Sequence, residues 1–265
     1  MTLPPHPLDV VPPAEIARLV EEVGVRKAGL GFVQTLTLAI LAGAFIAFGA
    51  MFFTMTVTGS TLGFGPTRLL GGAAFSLGLI LVIIGGAELF TGNSLIVMAW
   101  ADRRITTAQL LRNWAIVYCG NLIGAVGMAV LVHLSGIMGL GDDAVGKTAI
   151  AIAAAKLALN PLQALIRGVL CNMLVCLAVW MCFAAHNVSG KALVILFPIT
   201  AFVALGLEHS VANMYLIPIG MLHAGTFDGA TFASNLAVVT AGNIIGGGGL
   251  VALVYWLVYL RTPAA

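Results

Sequence analysis

What constrains this chain most is where its charges are not. Reading only Asp, Glu, Lys and Arg, residues 28–67, 69–87, 89–101, 113–141, 168–190, 192–207, 209–227 and 229–260 are blank. A helix needs about 20 apolar residues to cross the hydrocarbon core of a bilayer. Runs 28–67, 113–141, 168–190 and 229–260 each hold one such span. The remaining runs form two pairs, 69–101 split by Glu88 and 192–227 split by Glu208. Six spans are therefore predicted, near 30–57, 68–100, 109–134, 161–185, 191–221 and 232–260. The second and fifth each bury a carboxylate near mid-membrane. Only 8% of the 265 residues are charged and 60% are hydrophobic, whereas a soluble domain carries about 25% charged residues. Such a chain cannot cover a water-facing surface. Its 12 basic and 10 acidic residues nearly balance, so it has no field to recruit nucleic acid.

Residues 1–28 read as a tail and a surface helix, and 29–262 as the membrane unit. Five of the ten prolines lie in residues 1–13, which predicts an extended tail. No basic stretch precedes an apolar core there, so no secretory signal is expected. Ile16, Leu19, Val20 and Val23 recur at helical spacing and Glu22–Arg26 is an i,i+4 pair, which predicts an amphipathic helix over 14–27 lying along the membrane surface. One side of the membrane holds Arg18, Arg26, Lys27, Arg103, Arg104, Arg112, Lys191 and Arg261, eight cations. The other holds four, Arg68, Lys147, Lys156 and Arg167. The positive-inside rule then places both termini in the cytoplasm. Cys119, Cys171, Cys176 and Cys182 all fall in apolar runs and read as free thiols, not a disulfide framework.

The halves of the chain echo one another. Gly86-Ala87-Glu88-Leu89-Phe90-Thr91-Gly92-Asn93 and Gly206-Leu207-Glu208-His209-Ser210-Val211-Ala212-Asn213 share Gly, Glu and Asn at a shift of 120. Gly120-Asn121-Leu122-Ile123-Gly124 meets Gly242-Asn243-Ile244-Ile245-Gly246 at a shift of 122. Spans one and four match poorly. Three spans per half place the second half in the opposite orientation, the inverted-repeat plan whose solute site lies where broken helices meet at mid-membrane. Breaks after Glu88 and near Glu208 would free backbone N–H groups able to favour an anion. The plainer alternative is that these glycines only let straight helices approach closely.

Of five histidines only His209 falls at mid-membrane. An ionisable group there is functional by default, and an imidazole titrates in the range suited to exchanging a proton with a weak acid. Glu88 and Glu208 would repel an anion if bare. They read instead as clasps that accept hydrogen bonds from the loops or from Asn93, Asn121, Asn172, Asn213 and Asn243. For Asn121, plain interhelical hydrogen bonding is the simpler reading. Gly141–Thr148 spells a phosphate-loop pattern, but it sits in a short outer loop with two acids, without the strand such a motif follows. The cysteine spacing fits no zinc site, and Glu208-His209 has Asn213 where a metalloprotease needs its second histidine. No metal, cofactor or enzymatic activity is expected.

Ala87–Asn93 and Glu208–Met214 resemble the two signature segments of the formate/nitrite transporter family, and Cys171–Trp180 resembles its fourth-helix signature. The resemblance runs over about residues 15–260. It implies an all-α, aquaporin-like fold of six helices with the second and fifth interrupted. It further implies a homopentamer with one pore per protomer, passing small monovalent anions (formate, nitrite, hydrosulfide) across a bacterial inner membrane. By matching position, His209 is the central pore histidine and Thr91 faces it. Lys156 resembles the residue that draws anions into the outer vestibule, and Glu208, Asn172 and Asn213 its polar supports. Phe75, Leu79, Leu89, Phe90, Val175 and Phe202 resemble the apolar constrictions. Formate leads as substrate and nitrite follows, with a hydrosulfide channel as the alternative. An aquaporin-type neutral channel would carry Asn-Pro-Ala in both halves; here Asn160-Pro161 stands unpaired.

Overall fold

The computed structural model describes residues 11–261; the proline-rich tail through residue 10, with His6, lies outside them. Among the described residues every regular element is helical. α1 (Pro13–Ala28) precedes two long helices, α2 (Phe32–Val57) and α3 (Phe64–Gly85). After a break come a 3-10 turn, Gly92–Ile96, and the short α4 (Val97–Ala101). α5 (Thr107–Leu134), α6 (Ala144–Leu157), α7 (Pro161–Ala184) and α8 (Val188–Ala204) follow. A second break separates α8 from α9 (Ser210–Ala224). α10 (Gly229–Ile244) then runs through a π-helical stretch, Ile245–Leu253, into α11 (Val254–Tyr259).

Among the described residues, five helices are long and apolar enough to cross a membrane: Phe32–Val57, Phe64–Gly85, Thr107–Leu134, Pro161–Ala184 and Gly229–Tyr259. Val188–Ala204 and Gly92–Ala101 are apolar but shorter, because the chain breaks at 86–91 and 205–209, next to Glu88 and Glu208. α2 crosses α5 in backbone contact. A Cβ on Gly124 would overlap the Ile40 carbonyl, and one on Gly43 would overlap the Asn121 carbonyl. α7 meets the α10 continuation the same way, with Gly246 against the Val169 carbonyl. Small residues at these crossings bring the backbones close enough for the side-chain amides described below to reach across.

Two expectations need correction. The segment between the third and fourth predicted spans is not a short loop: α6 occupies Ala144–Leu157, after left-handed residues Asp142 and Asp143. Val145, Ala149 and Ala153 form its buried stripe, and Gly220 of α9 lets it approach, since a Cβ there would touch Ala153. α1 also does more than lie on a surface. Its buried face, Ile16, Ala17, Val20 and Ala28, joins Leu95, Ile96, Val97 and Ala99 in one apolar cluster. Arg104 donates to Glu21 at 2.8 Å and ties α1 to the chain after α4. Burial raises the Glu21 carboxyl above its ordinary 4.5, opposed in part by the hydrogen bond from Arg104.

Candidate functional site

Both breaks are built the same way. α3 ends at Gly86 and α8 at Gly206, each in the left-handed region, with φ of 73° and 69°. The next N–H folds back: Ala87 N–H donates to the Val82 carbonyl at 2.9 Å and Leu207 N–H to the Phe202 carbonyl at 3.0 Å. That is the Schellman closure, which needs a residue free of a Cβ at the turn. Buried amides then hold the open chain. Asn121 Oδ1 accepts from Phe90 N–H at 2.9 Å, and its Nδ2 donates to the Glu88 and Ala39 carbonyls. Asn243 Oδ1 accepts from Ser210 N–H at 2.9 Å, and its Nδ2 donates to the Glu208 and Gly168 carbonyls. Glu88 N–H reaches the Leu38 carbonyl and Glu208 N–H the Arg167 carbonyl. Asn121 is thus a brace of the break, not simple interhelical glue. These N–H groups are taken up within the protein and are not free for an anion.

Each glutamate is a clasp with a lysine on it. Lys27 Nζ lies 3.0 Å from Glu88 Oε1, and Lys156 Nζ lies 3.0 Å from Glu208 Oε1. Asn93 Nδ2 donates to Glu88 Oε2 and Asn213 Nδ2 to Glu208 Oε2, both at 2.7 Å. Asn93 goes on to Asn113 Oδ1, and Asn213 to Asn235 Oδ1. Asn113 Nδ2 closes the first circuit on the Lys27 carbonyl, Asn235 Nδ2 the second on the Lys156 carbonyl. Glu88 and Glu208 are 4% and 3% exposed, and a cation and an amide meet each of them there. The two circuits differ in one bond: Lys27 also donates to Asn93 Oδ1, whereas Asn213 Oδ1 has no partner.

Between the circuits the two breaks face each other. Thr91 Oγ1 lies 2.8 Å from His209 Nε2, both residues fully buried. His209 is the N-cap of α9, its Nδ1 accepting from Ala212 N–H at 2.9 Å. An accepting Nδ1 carries no proton, so the neutral ring holds its proton on Nε2 and donates it to Thr91. The threonine hydroxyl then keeps its own proton for a further acceptor. Thr91 is fixed from behind: its carbonyl accepts from Asn172 Nδ2 at 3.2 Å and faces Cys176 Sγ at 3.4 Å.

A cavity approaches this pair from either end. The one beside α1 is narrow, about 50 Å³, and includes Lys27, Leu79, Val82, Leu89 and Gly92 in its wall. The one beside α6 is a vestibule of about 520 Å³ reaching Phe75, Lys156, Phe202, Glu208 and His209. Arg68 borders the vestibule and Val82 the narrow cavity, a separation of about 20 Å along α3. Phe75 meets Phe202 edge-on at 5.4 Å, and Phe202 stacks on the His209 ring at 5.8 Å. An aromatic pair therefore packs against the imidazole at the vestibule wall.

The profile of the formate/nitrite transporter family matches residues 14–257. The chain belongs to that family. It is 41% identical to the formate channel FocA of Escherichia coli (strain K12) over 278 residues, covering 97% of each chain. Its fold is similar to a solved pentameric formate channel with formate bound (TM-score 0.78, 37% identity, 87% of this chain and 98% of that one). It is also similar to a solved ion channel of the same family (TM-score 0.85, 30% identity, 94% and 99%). Relatives and neighbours are channels or transporters, not enzymes.

In this formate/nitrite transporter family member, the sequence-predicted residues separate into two groups. Phe75, Lys156, Phe202, Glu208 and His209 line the vestibule, Leu79 and Leu89 line the narrow cavity, and Thr91 joins His209 from outside either wall. Asn213 holds Glu208. Asn172 stands apart from Lys156 and braces the Thr91 segment through Thr91, Ser94 and Asn243. Phe90 packs edge-on against Trp114 and Tyr118 of α5, and Val175 is 1% exposed; neither borders either of these two cavities. Sequence reasoning missed Lys27, Asn113 and Asn235. The shift of 122 that pairs Asn121 with Asn243 also pairs Asn113 with Asn235, so the second echo extends about two helical turns towards the start of each helix.

Proposed function

We propose that this protein carries formate, and less readily nitrite or hydrosulfide, through a pore in each protomer of a pentamer in a bacterial inner membrane, both termini cytoplasmic. The observation that carries this reading is the buried Thr91–His209 pair, 2.8 Å apart, set between two cavities that each end in a lysine–glutamate–asparagine circuit. The likeness to a formate channel 41% identical supports the substrate. The matched circuits and breaks support six spans arranged as two inverted three-helix repeats in residues 29–262, with the second and fifth interrupted.

An anion enters the outer vestibule drawn by Lys156, sheds water against Phe75 and Phe202, and meets a donor at the centre. That donor is the Thr91 hydroxyl, polarised from behind by the His209 Nε2–H. Dehydrating a carboxylate costs several kcal/mol, and the charge-assisted hydrogen bond from Thr91 offsets about 1.5–3 kcal/mol of it. Delivery of a proton to formate needs an imidazolium, and protonating Nδ1 breaks the α9 cap with Ala212. His209 therefore gates passage by polarising the Thr91 hydroxyl at rest. Once its cap opens and Nδ1 takes a proton from water, the ring passes its Nε2 proton through Thr91 to formate and keeps the one on Nδ1. Leaving as the neutral acid past Leu79 and Leu89 avoids a second dehydration.

The test is parallel uptake of formate, nitrite, hydrosulfide and chloride into liposomes carrying the purified protein. Formate should be fastest, nitrite next and chloride slowest. Chloride flux equal to formate flux would contradict a pore that handles the anion as a hydrogen-bonding weak acid.

A further inference from the structure

The vestibule beside α6 holds more cationic charge than the circuit uses. Arg68, Lys147, Lys156 and Arg167 border it with one carboxylate, Glu208, already paired to Lys156. The cavity beside α1 has Lys27 as its only charged wall residue among the described residues. Arg68 spends Nε on the Ala204 carbonyl at 3.0 Å and Nη2 on that of Val203 at 2.9 Å. Arg167 spends Nη1 on the Gly206 carbonyl at 3.2 Å. Both guanidiniums therefore flank the same glycine: a Cβ on Gly206 would lie 2.9 Å from Arg68 Nη2 and 3.8 Å from Arg167 Nη1.

A guanidinium has five N–H donors. These carbonyl contacts, which cap the end of α8, engage two on Arg68 and one on Arg167. Among the described residues no carboxylate pairs with either arginine. Capping the helix end would need one cation; two half-buried guanidiniums side by side repel each other unless something between them is negative. Arginine forks match carboxylates two bonds at a time.

We propose that Arg68 and Arg167 form a second anion site in this vestibule, suited to a compact dicarboxylate, which occupies the mouth without passing the pore. The second negative charge is what fits two guanidiniums, and it also excludes the ligand from the centre. The Phe75–Phe202 pair would have to be passed by a dianion stripped of water, a far steeper cost than for formate. A bound dicarboxylate competes with formate for the vestibule and slows uptake. The site itself stands on the arginine geometry; only its effect on uptake rests on the formate reading.

Malonate is the probe, with propionate and chloride at matched ionic strength as controls. In detergent, malonate should raise the thermal unfolding midpoint of the wild-type protein more than either control. The rise should shrink in Arg167→Gln, which gives up a single carbonyl contact, and in Arg68→Gln. In liposomes, malonate should inhibit formate uptake. Its half-inhibitory concentration, normalised to each protein's own uninhibited uptake, should rise about tenfold when one charge-assisted pair is lost. If the protein passes no formate, the unfolding shift still reads the site directly. Equal shifts with malonate and propionate, or a malonate shift undiminished in both variants, would overturn the proposal.

Discussion

The Thr91 hydroxyl and Nε2 of His209 stand 2.8 Å apart, contributed by two chain breaks 118 residues apart in sequence. With Nδ1 occupied by Ala212 N–H, donation runs from the ring to the hydroxyl and from the hydroxyl outward. Thr91→Val keeps the shape and removes that outward donor. It should lower formate uptake about tenfold or more, the cost of one hydrogen bond to a charged ligand. Thr91→Ser should restore most of the flux. Uptake of the valine variant equal to wild type would take Thr91 out of the path.

Lys156 holds a 3% exposed Glu208 and also borders the vestibule. Lys156→Ala should reduce uptake chiefly at low substrate, and the deficit should narrow as salt screens the attraction over a Debye length of about 10 Å at 0.1 M. Removing one partner of a buried pair also costs about 3 kcal/mol of stability, so the unfolding midpoint should fall in the same variant. Flux unchanged at every ionic strength would leave Lys156 with a structural duty alone.

Much of this was readable in the chain. Glu88 and Glu208 interrupt apolar runs that would otherwise be single spans, and both breaks lie beside them. His209 and Thr91 stand out because their motifs repeat. The first and fourth spans matched poorly for a physical reason: Leu38, Ala39, Arg167 and Gly168 contribute backbone carbonyls to the breaks, and a carbonyl leaves no trace in residue type. Lys27 escaped because it sits at the end of an amphipathic helix, where a lysine reads as solvated. α6 escaped because its 14 residues are too few to span. Phe90 and Val175 border neither of the two cavities, and apolar residues in an apolar helix carry no address.

The α2–α5 crossing tolerates no side chain at Gly124, where a Cβ would overlap the Ile40 carbonyl. Gly124→Ala should cost about 3 kcal/mol or more, because backbone on both sides must move. Gly127, one turn on, meets nothing within 4 Å, and Gly127→Ala should be neutral or stabilising by up to about 1 kcal/mol. Thermal unfolding of the two variants side by side checks this; equal midpoints would show that the crossing has slack.

Glu21 predicts how α1 responds to acid. Burial raises its carboxyl above 4.5 in the folded protein, despite the hydrogen bond from Arg104. An acid whose pKa rises on folding favours the fold in its neutral form. Its contribution is complete below the unfolded value and is lost as pH climbs through the native one. Amide exchange in α1, corrected for intrinsic rates, should therefore be slower near about pH 4 than near about pH 7. In Glu21→Gln the difference should vanish; a difference that persists there would assign it to another group.

The central claim is that His209 sets passage by its imidazole and not merely by capping α9. Asparagine is itself a good N-cap, so His209→Asn preserves the helix start and a hydrogen-bonding group while removing titration. The most direct measurement is formate uptake into liposomes from about pH 5 to about pH 8 for wild type and His209→Asn. The wild-type rate should vary with pH, and the asparagine variant should lose that dependence while still passing the anion. Parallel pH profiles for the two proteins would show that His209 is only structural.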